Sequence, residues 1–280
     1  MGRTIERLTR AVRLARHNPA LLAEMAGATL ARPGAAAGRV RRCVGDVLME
    51  FDCDLGPLVR EMHAGRYEVA VVHRLRRLLR EGDVFVDVGA NVGYLSAVAA
   101  GCVGRSGEVH AFEPVPRYHG ELANLAALNP GLTIRANAAA AGETKGTARI
   151  GISRGANTGW NTMVPGAMDA DSETIEVPVV ALDDYLGEHG LASRELVVKV
   201  DAEGFELPVL RGLRRRLAGA PRPRLLCEVS PDAYPLLGED AGALERFVAE
   251  AGYRAHSVDT MQPVKIAALR RITDVVLLPA

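Results

Sequence analysis

The chain predicts an α/β fold built on a doubly wound, mostly parallel sheet. Strand-like runs alternate with single helical stretches from residue 68 to the end. The runs "VFVDV" (84–88) and "LVVKVD" (196–201) are almost continuously apolar, as strands covered on both faces are. Single helices between strands demand crossover connections, which are right-handed and place helices on both faces of a parallel sheet. With 280 residues, 48% of them apolar, the chain holds enough material for one large core with additions.

Residues 4–16, "TIERLTRAVRLAR", place Ile5, Leu8, Val12 and Ala15 at helical spacing among Arg7, Arg10, Arg13 and Arg16. The apolar stripe is thin and lacks aromatics, so this amphipathic helix is expected on its own domain, as a lid or against a homodimer partner rather than on a membrane. "ARPGAAAGRV" (31–40) reads as a linker. Residues 1–65 are therefore expected to form an N-terminal helical extension, and residues 66–280 the α/β domain.

The alternation begins with a helix in "EVAVVHRLRRLL" (68–79), whose Val69, Val72, Leu75 and Leu79 share a face. "VFVDV" is the first strand and is followed by a helix at about 93–100. "EVHAFE" (108–113) is a strand, "RYHGELANLAAL" (117–128) a helix and "LTIRANAA" a third strand. "TARIGIS" (147–153) and "TIEVPVVAL" (174–182) flank a polar loop and predict an inserted β-hairpin at about 143–182. Strand "LVVKVD", helix "FELPVLRGLRRRL", strand "RLLCEV" (224–229) and helix "GALERFVAEAG" follow, and "YRAHSV" and "DVVLLPA" close the sheet edge.

Thirty-four basic and 34 acidic residues balance, so no global field argues for nucleic acid as a partner. Cys43, Cys53, Cys102 and Cys227 form no C-x-x-C pair, which suggests neither a disulfide framework nor a zinc site. No apolar run is long enough to span a bilayer, and the amino terminus lacks a secretory core. The expectation is a cytoplasmic protein without stable membrane insertion.

"VFVDVGANVGYL" ends a strand in Asp87 and enters a helix through Gly89 and Gly93. Such a turn presents backbone N–H groups and a helix amino terminus to a ligand, though it also serves as a tight connection alone. Asn91 stands where the middle glycine of a dinucleotide fingerprint would lie, and no phosphate-loop ending is present. Glu113 ends the neighbouring strand 20 residues after Gly93, where an acid accepts hydrogen bonds from both ribose hydroxyls. Together they predict a nucleoside site. A pyrophosphate would find Asp87 a poor neighbour, whereas the sulfonium and ammonium of S-adenosylmethionine would not.

From about Tyr67 onward the chain resembles the FkbM-type methyltransferases of the class I S-adenosylmethionine-dependent superfamily. The resemblance rests on "YEVAVVHRLRRLLREGDVFVDVGANVGYLSAVAA", "GEVHAFEPVP", "VPVVALDDYL" and "VVKVDAEGFELPVLRG" followed by "LLCEVS". It implies a Rossmann-like, seven-stranded sheet with the last strand antiparallel and the cofactor across the carboxyl ends of the first strands. Carried over residue by residue, it implies that Asp87, Gly89, Ala90 and Asn91 meet the methionine end, with Gly93 and Tyr94 lining the turn. Glu113 binds the ribose with Pro114 beside the adenine, and Asn137 and Ala138 lie near the adenine and ribose. Glu68 matches a family glutamate before the first strand, and equally reads as a first-turn helix acid. Residues 1–65 fall outside the resemblance.

The family usually transfers methyl to a hydroxyl oxygen, and "KVDAEGFE" is where the chain offers a base. Asp201, Glu203 and Glu206 cluster there, and neighbouring carboxylates in a cleft raise one another's pKa. Asp201 orients the ammonium or a water, or Glu203 is the acceptor's base, or Asp201 and Glu228 hold magnesium; the metal is not favoured, because two carboxylates are a thin coordination list. Glu203 and Glu206 also read as caps of the following helix. His119, which opens the helix after Glu113, is the remaining candidate base. Trp160, the sole tryptophan, reads as part of a substrate lid or as a loop anchor.

The expected activity is methyl transfer from S-adenosylmethionine to a hydroxyl of a small or carrier-bound secondary metabolite, a sugar or polyketide. A nucleoside-binding module of the same fold without catalysis is the alternative, and an NAD-dependent oxidoreductase a more distant one.

Overall fold

The computed structural model describes residues 2–30, 37–152, 161–167, 172–240 and 242–280, with only the backbone of 2–8 and 30. The amino-terminal segment holds α1 (Gly2–His17), α2 (Pro19–Leu30), β1 (Arg39–Val44), β2 (Val47–Asp52) and α3 (Pro57–His63). The alternating part starts with α4 (Val69–Leu78), β3 (Val84–Val88), α5 (Tyr94–Val103), β4 (Glu108–Phe112), α6 (Pro116–Leu128) and β5 (Thr133–Asn137). It is interrupted by β6 (Ala140–Gly142), β7 (Gly146–Ile152), β8 (Asn161–Thr162) and β9 (Glu173–Ala181). It then continues through α7 (Leu182–Glu188), β10 (Leu196–Val200), α8 (Glu206–Arg211), α9 (Arg214–Ala218) and β11 (Arg224–Val229), ending in α10 (Ala243–Glu250), β12 (Tyr253–Ser257) and β13 (Thr273–Pro279).

Seven strands form the main sheet in the order β12-β13-β11-β10-β3-β4-β5. β3, β4, β5, β10 and β11 run parallel, and β13 lies antiparallel between β11 and β12. Every residue of β3 and β10 is buried, because helices cover both faces. Phe85, Val109 and Val197 pack with Leu75 of α4, Ala97 of α5 and Leu122 of α6. Val84, Val86, Val198 and Val200 pack on the other face with Leu182, Leu207, Leu217 and Leu244. This is the doubly wound, mostly parallel seven-stranded sheet that the alternation and the family resemblance predict.

The amino-terminal segment differs from the helical reading at residues 39–52, where β1 and β2 pair antiparallel from Arg39↔Asp52 to Val44↔Val47. Gly45, with φ +61°, and Asp46 make a two-residue turn whose positive backbone angle suits the twist of a hairpin. Val47, Met49 and Phe51 alternate inward and are about 1% exposed, packing against α5 and α6. The period of two in "VLMEFD" was the signal for a strand. Arg39 and Arg41 of β1 reach across to Glu50 at 2.7 and 2.8 Å. Helices α1 and α2 lie on the domain: Leu14 and Leu21 are fully buried, and Arg10 grips Asp259 with two bonds of 2.8 and 2.7 Å.

Two further elements depart from the sequence reading. The helix expected over 205–217 is broken at Gly212, where a Cβ would come within 2.0 Å of the Gly142 carbonyl. Asp183 caps the second piece, accepting from the N–H groups of Arg215 and Arg216 at 2.7 and 2.9 Å. The inserted strands β7 and β9 pair from Gly146↔Val179 to Ile152↔Glu173, and with β6 and β8 they widen into a four-stranded sheet. The loop reading for Trp160 lies outside the described residues. Among the described residues no helix is long and apolar enough to cross a membrane.

Phe51→Ala is expected to cost about 3–5 kcal/mol, the usual loss for a buried aromatic truncated in a packed core. A urea titration reads it, and an unchanged midpoint would show that the hairpin is not part of the cooperative core.

Candidate functional site

Four strands end side by side, in the order β4, β3, β10, β11. At the end of β3 the chain turns through Gly89 (φ +75°) and Asn91 (φ +52°) into α5. A Cβ on Gly89 would stand 1.9 Å from the Asp201 carbonyl oxygen, so only glycine lets this turn lie against the end of β10. The N–H groups of Gly89 and Ala90 donate to the Phe112 carbonyl at 3.1 and 3.0 Å. Glu113 then accepts from the N–H groups of Asn91 and Val115 at 2.9 and 2.8 Å. Its two oxygens thus fasten the glycine turn to the end of β4 and keep lone pairs for a further donor each.

Beneath this edge lies one lysine among acids. Lys199 is 5% exposed and is the register partner of Asp87 in the adjoining central strand. Its Nζ stands 2.8 Å from Asp201 and 4.0 Å from Asp87. Burial alone would lower the lysine pKa, but Asp201, Asp87 and Glu68 together hold it above the ordinary value. Asp87 is wholly buried and accepts from the Ser96 hydroxyl at 2.6 Å; burial raises its pKa while Lys199 and Ser96 oppose the rise.

The surrounding carboxyls are less well served. Burial, aided by Asp201, raises Glu203 to about 8, and burial opposed by Lys199 leaves Glu68 at about 8. Burial against two backbone donors brings Glu113 to about 7, and Glu206, bonded to the Gly204 N–H at 2.7 Å, also to about 7. Glu228 is pushed up to about 11 by burial and then by Asp201 and Glu203, and its buried Oε1 has no hydrogen-bond partner.

A cavity of about 960 Å³ opens over the strand ends. Its floor includes Gly89, Asn91, Glu113, Pro114, Asp201, Glu203 and Glu228. Its walls come from elsewhere: Pro57, Leu58 and Glu61 of α3, Ile150, Asn161 and Met163 of the inserted sheet, and Asp232 and Leu236 of the 3-10 segment Pro231–Leu237. Glu203, in left-handed backbone conformation (φ +49°), is held by its carbonyl, which accepts from the Thr162 hydroxyl of β8 at 2.7 Å.

Other sequence candidates sit behind this surface. Asp87 supports the turn from below and does not line the cavity. Gly93 makes room for α6, since a Cβ there would meet Leu122 at 2.8 Å. Tyr94 stacks edge-on against Tyr67 with ring centroids 5.9 Å apart, and Tyr67 is the ring that reaches the cavity. Asn137 gives its amide to the sheet, donating to the Ala111 carbonyl at 3.1 Å and accepting from the Tyr185 hydroxyl at 3.2 Å, and Ala138 is exposed. His119 falls a turn inside α6 and is not among the lining residues described. Glu68, the left-handed residue before α4, aims at the Lys199 cluster and keeps a buried Oε2 without a hydrogen-bond partner.

Sequence reasoning missed the buried Lys199 and the cavity-lining Tyr67, Ser230 and Asp232. Lysine in the middle of an apolar strand was the available signal, because a fully buried lysine requires acids around it. Among the described residues no three His, Cys, Asp or Glu side chains converge as a metal cage.

The raised carboxyls set a pH dependence. Glu113, Glu206, Glu68 and Glu203 keep protons in the fold up to about 7 or 8 that the unfolded chain releases near 4.5. Their contribution to stability is therefore whole below about 4.5 and falls as pH rises through 7 and 8. The ligand-free protein is expected to unfold at lower urea at pH 8.5 than at pH 5.5; an equal or higher midpoint at pH 8.5 contradicts the placement of these acids.

A family model described as the methyltransferase FkbM domain matches residues 87–255. No curated protein matches the chain. Among solved structures, the chain is similar to the methyltransferase FkbM from Methylobacillus flagellatus, with 16% identity over 79% of this chain and a TM-score of 0.44. It spans about half of that protein, 54% of its length. It is also similar to an S-adenosylmethionine-dependent O-methyltransferase from Thermotoga maritima, with 14% identity, 91% and 96% of the two chains and a TM-score of 0.40. A third is fibrillarin from Aeropyrum pernix with natively bound S-adenosyl-L-methionine, with 12% identity, 72% and 68% coverage and a TM-score of 0.39. With more than half of its residues matched by the model, the chain belongs to the FkbM methyltransferase family.

Proposed function

We propose that the protein is an S-adenosylmethionine-dependent O-methyltransferase that acts on a hydroxyl of a small or carrier-bound secondary metabolite in the cytoplasm. The observation that supports it most is the cavity over the strand ends, where a glycine turn and a ribose-type acid share a floor with carboxylates that exceed their buried cation. The residues fit the cofactor. Gly89 and Asn91 bound the space for its methionine end, Glu113 has lone pairs for ribose hydroxyls, and Asp201 offers an anion for its ammonium. Bound there, S-adenosylmethionine supplies an electrophilic methyl group on a positively charged sulfur.

The remaining work falls to this chain. Displacement at that methyl needs alignment and exclusion of water more than covalent help. Leu58 and Tyr67 on one side and Ile150 and Met163 on the other screen the floor. As the acceptor oxygen becomes the nucleophile, its proton passes to a carboxylate oxygen of Glu203, whose pKa of about 8 suits a base working near neutrality. Asp201, tied to Lys199 at 2.8 Å, is the more rigid carboxylate and serves to orient. The proposed boundaries make residues 1–65 an extension that lends α3 to one wall and residues 143–182 an insertion that lends Met163 to the other.

Calorimetry with S-adenosylmethionine, S-adenosylhomocysteine and NAD tests the cofactor. The two sulfur nucleosides are expected to bind and NAD not, with Glu113→Gln weakening them by roughly tenfold. Binding of NAD alone, or of none, ends the reading. For the chemistry, Glu203→Gln is expected to lower kcat by on the order of 10²-fold with little change in S-adenosylhomocysteine affinity. Undiminished turnover in that variant removes Glu203 as the base, and a methyl found on nitrogen or carbon of the product removes the O-methyl assignment.

A further inference from the structure

We propose that the β11 side of the cavity is a cation subsite, and that the acceptor is a hydroxylated amine whose ammonium group is held by Glu228 and Asp232. The proposal rests on the methyltransferase reading and adds the charge class of the acceptor. It starts from the lining. Among the described residues, Glu61, Glu113, Asp201, Glu203, Glu228 and Asp232 face the cavity, and no lysine, arginine or histidine does. Three of these acids are served: Glu61 by Arg66 at 2.6 Å, Asp201 by Lys199 at 2.8 Å and Glu113 by two backbone donors. Glu203, Glu228 and Asp232 form no ion pair among the described residues, and Lys199 acts on Glu203 only from a distance.

An independent observation marks the same place. Ser230 is 7% exposed, forms part of the cavity wall, and its Oγ has no hydrogen-bond partner. In the same wall Glu228 keeps a buried Oε1 without a hydrogen-bond partner. Buried polar atoms are rarely left without partners, and each one that is left costs free energy. A cavity wall that sets the Ser230 hydroxyl and the Glu228 carboxyl side by side in need of partners suits a ligand that brings donors. An ammonium brings three, together with the missing charge. A divalent metal needs a converging cage, which these acids do not form.

Position separates this subsite from the cofactor. Glu113 follows β4 and Glu228 lies in β11, three strands apart, or about 14 Å at the usual strand spacing. A nucleoside fixed by Glu113 and Gly89 leaves the β10 and β11 ends for the acceptor, with Glu203 between the two. Leu236 and Ile272, 47% and 59% exposed, stand at the rim, so the apolar part of the acceptor leaves past them.

The acids around the subsite strengthen the preference. Asp201 beside Lys199, Glu206 of α8, Asp274 of β13, and Glu68 before α4 all face Glu203 or Glu228, and the only cation among these groups is Lys199. A carboxylate-bearing acceptor is therefore repelled, and an ammonium lets Glu228 ionise on binding, so its affinity rises with pH.

The test uses the full chain saturated with S-adenosylhomocysteine at pH 8, titrated in a calorimeter with cyclohexylamine, cyclohexanol and cyclohexanecarboxylate. The amine is expected to bind roughly tenfold or more tightly than the alcohol, and the carboxylate no better than the alcohol. In the Glu228→Gln, Asp232→Asn variant the amine is expected to fall to the level of the alcohol, with S-adenosylhomocysteine affinity kept as the check of folding. Should that variant not fold, the exposed Asp232→Asn substitution alone is read, with a smaller loss expected. Equal binding of the three probes, binding of none, preference for the carboxylate, or a variant that keeps the preference for amine overturns the proposal. Failure to bind S-adenosylhomocysteine is the separate failure of the methyltransferase reading; the probes are then compared on the nucleoside-free protein, and the same order decides the subsite.

Discussion

The structure depends on one buried lysine. Lys199 and Asp87 are register partners in the two central strands, and Asp201 follows two residues later at the sheet edge. An acid or a lysine alone in that position would pay several kcal/mol in lost hydration. Together they are tolerable, and their cost fixes the register of β3 against β10, because a slip of one residue would put the two charges on opposite faces of the sheet. The same pairing sets the chemistry above it. One cation shared among several carboxyls holds Asp87 and Asp201 in place, while Glu68, Glu203 and Glu228 are left with raised pKa values and a deficit of partners.

That deficit is where structure becomes function. A close-packed interior has little tolerance for unpaired polar atoms, yet Glu68, Glu206, Glu228, Ser230 and Tyr234 each keep one. Two of them, Glu228 and Ser230, line the cavity itself. Stability surrendered at such an edge is recovered when a ligand supplies the missing donors and charge. The glycine turn contributes on the same principle from the other side. Gly89 brings the backbone so near Asp201 that the main chain itself becomes cavity floor.

The walls have a different origin from the floor. Parallel strands offer a common edge but no enclosure, and any class of acceptor could approach an open edge. Enclosure comes from α3, from the inserted sheet and from the 3-10 segment after β11. The β1–β2 hairpin seats α3 by burying Met49 and Phe51 against the sheet-covering helices, and Thr162 of the insertion reaches down to the Glu203 carbonyl. The parts of the chain least like a repeating α/β pattern thus shape the space where an acceptor must fit.

By itself the sequence determined the sheet. Continuous apolar strands, single intervening helices, the turn at Gly89 and the acid at Glu113 are local patterns, and local patterns report backbone conformation and burial. It also located Asp201, Glu203 and Glu228 at strand ends, since a strand end is read from where the apolar run stops. It did not separate the acids that line the cavity from those beneath it: Asp87 lies one residue inside the end of β3 and is buried, whereas Asp201 lies one residue beyond the end of β10 and reaches the cavity. Nor did it place Tyr67 before Tyr94, show that the Asn137 amide bonds to the sheet and to Tyr185, or reveal that Lys199 faces Asp87. Those outcomes were decided by tertiary structure, because partner, burial and charge balance arise only when segments distant in sequence are brought within a few ångströms of one another.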